Sequence, residues 1–251
     1  SVVIRLLDQG GRPVELGALG MDEATFRRMA ALADRPNGML LVTGPTGSGK
    51  TTTLYSALTR RPADREKIIT VEDPVEYQLP GIAQVPVHQR AGVTFGTILR
   101  SILRQDPDVI MVGEMRDAAT AEIAIQAAMT GHLVFSTLHT NDALGAIPRL
   151  LDLGVPDYLV AATLEGVLAQ RLVRRICDGC RARYTAPAEQ LALVSGRPSA
   201  DRQLTQGAGC EACRGTGYRG RVGLFELFEL DDESKDAITR GARRADLVTL
   251  A

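Results

Sequence analysis

Tryptophan is missing from the 251 residues, aromatic side chains make up only 4%, and histidine appears three times. Of the 29 basic residues only Lys50, Lys67 and Lys235 are lysine, a bias we read as coding-sequence composition, with no bearing on thermostability. No stretch reaches about 18 uncharged apolar residues, and Ser1-Val2-Val3-Ile4-Arg5 has no basic start followed by an apolar run. The pattern therefore predicts neither a membrane span nor a secreted precursor. A formal charge of −1 argues against a wholesale electrostatic grip on nucleic acid or acidic membrane, although local patches stay open. With 45% hydrophobic and 24% charged residues, the chain has material for one large domain, or one domain and a small module.

Val2–Leu7 reads as a strand and Gln9-Gly10-Gly11-Arg12-Pro13 as a turn, so the chain looks cut from something longer. From Met21 to about Leu153, short apolar β runs alternate with helical periods. Strands are expected at Met39–Val42, Ile68–Val71, Val109–Val112 and Leu133–Thr137, and helices at Lys50–Arg60, Thr94–Arg104 and Ala118–Met129. Such alternation implies an α/β fold with a largely parallel, doubly wound sheet. Beyond Gly154 the pattern turns helical: Leu159, Val160, Leu164, Val167, Leu168 and Leu172 form an apolar stripe predicting one helix over Asp157–Ile176. Residues 181–209 are polar and loop-rich, Val222–Leu230 reads as a strand, and Asp232–Leu250 as a helix. The expected organisation is a remnant and linker at 1–20, a core at 21–153, and a helical region at 154–251 with a cysteine module at 177–221.

Gly44-Pro45-Thr46-Gly47-Ser48-Gly49-Lys50-Thr51 fits G-x-x-x-x-G-K-[ST] between an expected strand and an expected helix, the context that a phosphate loop requires. Its glycines let backbone N–H groups face an anion at the positive end of a helix. Lys50 would reach the terminal phosphates and Thr51 would ligate Mg²⁺. Phosphoryl transfer also needs an acid, and two strand ends offer one: Glu114 after Val109–Val112, and Glu72 in Glu72-Asp73-Pro74-Val75-Glu76. His132 and His139 flank the Leu133–Thr137 strand and, seven residues apart, belong near opposite ends of it, too far to share a metal.

The four cysteines fall into two pairs, Cys177-x2-Cys180 and Cys210-x2-Cys213, around a 29-residue spacer. Four thiolates so spaced can close a tetrahedral shell without an open position, the chemistry of structural Zn²⁺. Free thiols and disulfides are the alternatives, and a nucleotide-using protein in a reducing compartment argues against the latter.

Thr43–Tyr55, Thr70–Tyr77, Leu103–Asp117 and Thr130–Asp142 resemble, in order and spacing, the Walker A, Asp box, Walker B and His box of the secretion ATPases. These are the GspE/PulE motors of type II secretion and their type IV pilus extension relatives. The resemblance implies a RecA-like hexameric ATPase, cytoplasmic and peripheral to the inner membrane, that uses ATP and Mg²⁺ and docks on inner-membrane platform proteins. By position, Gly44 to Thr52 (Gly44, Pro45, Thr46, Gly47, Ser48, Gly49, Lys50, Thr51 and Thr52) would hold nucleotide. Glu72 would polarise water, Glu114 would orient metal and water, and His132 and His139 would report nucleotide state. Arg100, Arg104, Arg116 and Arg149 match basic positions of the family that reach nucleotide in the same or a neighbouring subunit. Ser1–Asp8 resembles the end of the family's preceding domain; if that domain is missing, poor hexamer formation and slow turnover are expected. The tetracysteine insertion marks the secretion and pilus-extension branch, which retraction motors usually lack. Pseudopilus assembly for type II secretion is the leading reading and pilus extension its nearest rival.

Two other classes deserve weight. A nucleic-acid translocase would use Arg171, Arg174, Arg175, Arg181 and Arg183 beside the cysteines. Single-strand grip also wants aromatic platforms, and Tyr184 and Tyr218 are the only aromatics between Arg171 and Arg221. A non-hydrolysing scaffold would instead bind nucleotide for assembly alone.

Overall fold

A computed structural model describes residues 13–187, 189–191, 203–242 and 244–250. The strand and turn expected before residue 13 lie outside the described residues. The chain divides into two compact units, residues 1–171 with 223–251, and residues 172–222.

In the larger unit, β1 (Gly38–Thr43), β2 (Ile68–Glu72), β4 (Val109–Val112) and β5 (Leu133–Leu138) are buried throughout, the signature of parallel strands covered on both faces. They join β3 (Ala83–Pro86), β6 (Leu164–Ile176) and β9 (Tyr218–Glu229) in one sheet of order β3-β2-β4-β5-β1-β6-β9. The pairs β1·β5, β1·β6, β2·β3, β2·β4 and β4·β5 are all parallel. The α/β class with a mainly parallel sheet is thus the one that the alternating pattern implied.

Side-chain alternation builds two cores. Leu40, Val42, Met111 and Phe135 face α1 (Glu23–Ala33) and α2 (Lys50–Leu58), while Leu41, Val71, Ile110 and Val134 face α3 (Phe95–Ile102) and α4 (Ala118–Met129) on the other side. Side chains cap the starts of α1, α3 and α4: Asp22 accepts from Thr25 N, Thr94 forms a reciprocal box with Thr97, and Asp117 accepts from Thr120 N at 2.8 Å.

The single helix expected over Asp157–Ile176 is not found. After α5 (Ala146–Asp152), α6 covers only Asp157–Thr163, and the chain then enters β6 beside β1. An apolar stripe at helical spacing and a strand buried on both faces share the same residue types, so period alone misleads. Gly166 carried the contrary signal: a Cβ there would stand 2.6 Å from Leu32 Cδ1, so a side chain would have to push α1's leucine aside where that helix crosses the strand. Residues 154–251 are therefore not a helical region, and the expected boundary at 153/154 does not separate the two units.

The helix expected over Asp232–Leu250 is two, α7 (Asp232–Thr239) and α8 (Arg244–Val248). Gly241, at φ 73°, ends the first with Gly241 N→Ile238 O and Ala242 N→Ala237 O, the two bonds of a Schellman cap. Among the described residues no helix is long and apolar enough to cross a membrane.

The smaller unit holds an antiparallel pair that the polar reading of 181–209 missed, β7 (Arg181–Thr185) with β8 (Gln203–Gly207). Gly207 and Gly217 approach so closely that a Cβ on Gly207 would lie 1.9 Å from Gly217 O, so neither tolerates a side chain without displacement.

Candidate nucleotide site and metal centre

The adjacent strands β4, β5 and β1 run parallel, so the loops leaving their carboxyl ends meet, which is where doubly wound sheets bind ligands. After β1, Gly44, Gly47 and Gly49 take φ of 141°, 77° and 88°, a left-handed series that only glycine enters cheaply. Lys50 opens α2 and its Nζ donates to Gly44 O at 2.8 Å and Pro45 O at 3.2 Å, curling over the loop it follows. Burial pushes the Lys50 pKa down, while the Glu114 charge pulls it back up. Pro45, Thr46 and Gly47 are exposed along the rim, and Thr51 and Thr52 are half-buried on the first turn. Ser48 Oγ is buried with no hydrogen-bond partner among the described residues. Left-handed glycines, a lysine at the helix start and an orphaned hydroxyl fit a polyanion such as a nucleotide phosphate.

Glu114 stands at the end of β4, held there by β5: Thr137 Oγ1 donates to Gly113 O at 2.7 Å and Met115 N to Thr137 O at 3.1 Å. Its Oε2 takes Arg116 Nε at 2.7 Å and lies 3.6 Å from His139 Nε2. The structure thus brings Lys50, Glu114, Arg116 and His139 into one neighbourhood.

His132 is placed elsewhere. It precedes β5, its carbonyl accepts from Gly38 N at the start of β1, and its Nδ1 lies 2.9 Å from Ala127 O of α4. Six residues of strand, at about 3.3 Å each, put it roughly 20 Å from the phosphate loop. A nucleotide-reporting role within this subunit does not fit that position; the ring closes the carboxyl end of α4 instead.

Glu72 ends β2, 2% exposed, and accepts from Tyr55 Oη, Thr70 Oγ1 at 2.5 Å and Gln84 Nε2 at 3.1 Å. Three of the roughly four acceptor positions of its carboxylate are filled, which leaves one for a water. The Tyr55 phenol is held far above its ordinary pKa, first by burial and then by its bond to Glu72. On the same turn, Asp73 is exposed and Glu76 half-buried.

Arg100, Arg104 and Arg149 are exposed on the surfaces of α3, the turn after it, and α5, and among the described residues none has a carboxylate within 4.0 Å. Among the described residues no hydrogen bond joins any of them to the loop. Sequence reasoning also passed over Gln170 of β6, whose side-chain amide touches the phosphate loop. Only its polarity inside the apolar run Val167-Leu168-Ala169 signalled it.

In the smaller unit the four thiols are free and their sulfurs lie within 4.8 Å of one another. Three separations are Cys177–Cys210 3.9 Å, Cys180–Cys213 3.8 Å and Cys210–Cys213 3.7 Å. Sulfurs about 2.3 Å from a central ion form a tetrahedron with edges of about 3.8 Å, so the donor set matches Zn²⁺ in number, type and spacing. Backbone amides support the shell: Gly209 N donates to Cys180 Sγ, and Cys210 N and Gly217 N to Cys213 Sγ. The Cys210 amide leads in lowering the Cys213 pKa, to about 6, favouring the thiolate that a metal takes.

A family model described as "Type II/IV secretion system protein" matches residues 1–251. The chain is 53% identical to "Type II secretion system protein E" of Dickeya dadantii, over 96% of this chain and 48% of that protein. It is 47% identical to "Type IV pilus assembly ATPase PilB" of Myxococcus xanthus, over 98% of this chain and 44% of that one. The chain therefore spans about half the length of the curated relatives it matches. Among solved structures, that of the pilus retraction motor PilT with bound ADP superposes with a TM-score of 0.71 at 31% identity, covering 97% of this chain and 60% of PilT.

Proposed function

Because the chain belongs to the Type II/IV secretion system protein family over its whole length, we propose that it is the ATP-hydrolysing motor part of a protein that powers pseudopilus assembly for type II secretion. The observation that carries this reading is the meeting of Lys50, Glu114 and His139 at the ends of β1, β4 and β5. In the proposed reaction a water oxygen attacks the terminal phosphorus, the bridging P–O bond breaks, and ADP and phosphate leave. Lys50 and the loop amides hold the phosphates, Thr51 offers a hydroxyl to the metal, and Glu114 orients metal and water. Mg²⁺, when bound, supplies charge neutralisation on the phosphate oxygens. His139 reads nucleotide state through the carboxylate it faces. Glu72, held by Tyr55, Thr70 and Gln84, polarises water through the one acceptor position that they leave open.

Arg100, Arg104 and Arg149, exposed and unpaired with carboxylates, are proposed to act across a homo-hexamer, reaching a neighbouring subunit's nucleotide. The cysteine module is proposed to hold structural Zn²⁺ and to dock on inner-membrane platform proteins from the cytoplasmic side, without direct nucleic-acid contact. The identity to PilB supports pilus extension as the second reading. Phosphate release tests the chemistry: Lys50→Ala and Glu114→Gln proteins as fast as the unmodified chain would reject hydrolysis and favour a scaffold. Restoring export, but not pilus extension, in strains lacking each motor would separate the two machines.

A further inference from the structure

We propose that Gln170, on β6, is a positioning residue that aims the Gly49 amide of the phosphate loop; the proposal rests on the nucleotide reading of that loop. Gln170 is 4% exposed. Its Nε2 donates to Ser48 O at 2.5 Å, and its Oε1 accepts from Thr53 Oγ1 at 2.7 Å. The orientation of the amide follows from chemistry, because a backbone carbonyl only accepts and must therefore face the nitrogen. One side chain thus bridges the last loop residue before Gly49 and the first turn of α2, across the point where the loop becomes helix.

The consequence lies in the peptide plane. A trans peptide is planar, with its C=O and N–H pointing in opposite directions. Fixing Ser48 O on Gln170 therefore fixes the Gly49 N–H to point away from β6. Gly49, at φ 88°, has no side chain to restrain it, so the direction of this donor depends on an external anchor. Gln170 also acts at the loop's entrance: a Cβ on Gly44 would stand 2.3 Å from Gln170 O, so the same residue sets how closely the chain passes β6 there. Entry and exit of the loop are thereby referenced to one residue over 120 positions downstream.

The test compares Gln170→Glu, Gln170→Met and Thr53→Val in the full chain, by titration with a fluorescent ATP analogue and by thermal unfolding. Gln170→Glu turns an oxygen toward Ser48 O, and Gln170→Met keeps the volume while removing the donor. Each is expected to weaken nucleotide binding about tenfold, the cost of an orphaned carbonyl expressed as affinity. Thr53→Val leaves the Ser48 bond in place and is expected to weaken binding by less than about threefold. If Gln170→Met binds nucleotide as the unmodified chain does, or if affinity falls only in step with melting temperature across all three, the positioning role is wrong. Lys50→Ala is the control: undiminished binding in that protein would overturn the nucleotide reading itself, whatever Gln170 does.

Discussion

His139 Nε2 and Arg116 Nε share one oxygen of Glu114, at 3.6 Å and 2.7 Å. A single carboxylate atom at the end of β4 therefore joins the strand that follows the helix α4 to the loop that precedes it. A metal or water drawn to this same oxygen competes with both partners, and that makes the pair a candidate reporter of what occupies the site.

The two histidines should accordingly separate in their effects. His139→Ala is expected to lower phosphate release by at least about tenfold. His132→Ala should leave nucleotide affinity within about twofold and instead cost about 1 kcal/mol of stability, the worth of its bond to the end of α4. Equal losses of activity from both would show that position along β5 does not decide their roles.

Removing the Tyr55 hydroxyl leaves the buried Glu72 short of a donor. Tyr55→Phe should destabilise the fold by about 1–3 kcal/mol at neutral pH. Because the folded phenol's pKa is raised, its contribution is fully present below the unfolded value of about 10 and is lost as pH rises beyond it. Denaturation midpoints of the unmodified protein should therefore fall above pH 10, and the decline should be shallower in Tyr55→Phe. Identical slopes would exclude the linkage.

The four-cysteine cluster makes a stoichiometric prediction. Elemental analysis after purification should find about one zinc per chain, lost in Cys213→Ser and Cys177→Ser, because a three-thiolate shell forfeits much of the binding free energy of a closed site. Chelation should remove protection from hydrogen exchange in β7 and β8 first. Full protection there in metal-free protein would rule out a structural metal.

Gly44→Ala should be damaging out of proportion to its size. The position has φ 141°, and the added carbon would meet Gln170 O at 2.3 Å and Ser48 Oγ at 2.8 Å. A loss of about 1–3 kcal/mol for the backbone strain alone is expected in denaturant titrations, together with weaker nucleotide binding. Gly47→Ala, with open space around it but φ 77°, would carry the strain without the clash and should do less harm to nucleotide affinity.

Different kinds of residue were legible to different degrees. The phosphate loop could be recognised because its geometry is local: glycines, lysine and threonine act through consecutive backbone, and the flanking strand and helix are each visible in hydrophobic period. Glu114 was recognisable for the same reason, as the first acid after a buried strand. Glu72 was found as an acid at a strand end, but its closure by Tyr55, Thr70 and Gln84 could not be read, since two of those partners come from other elements. β6 was misread because its apolar positions satisfy a helical period while its real determinant is burial on both faces.

Sequence by itself determined the α/β class, the phosphate loop and the four-thiolate donor set, because each is written in spacing along the chain and needs no distant partner. The tertiary structure alone decided which histidine stands beside the acid, which carboxylate remains accessible, and that Gln170 braces a loop ending 120 residues before it. Those assignments follow from parallel register: pairing Thr43 with Leu138 and with Ala169 sets which strand ends converge. Register is fixed by the packing of both sheet faces at once, and no single segment carries that information.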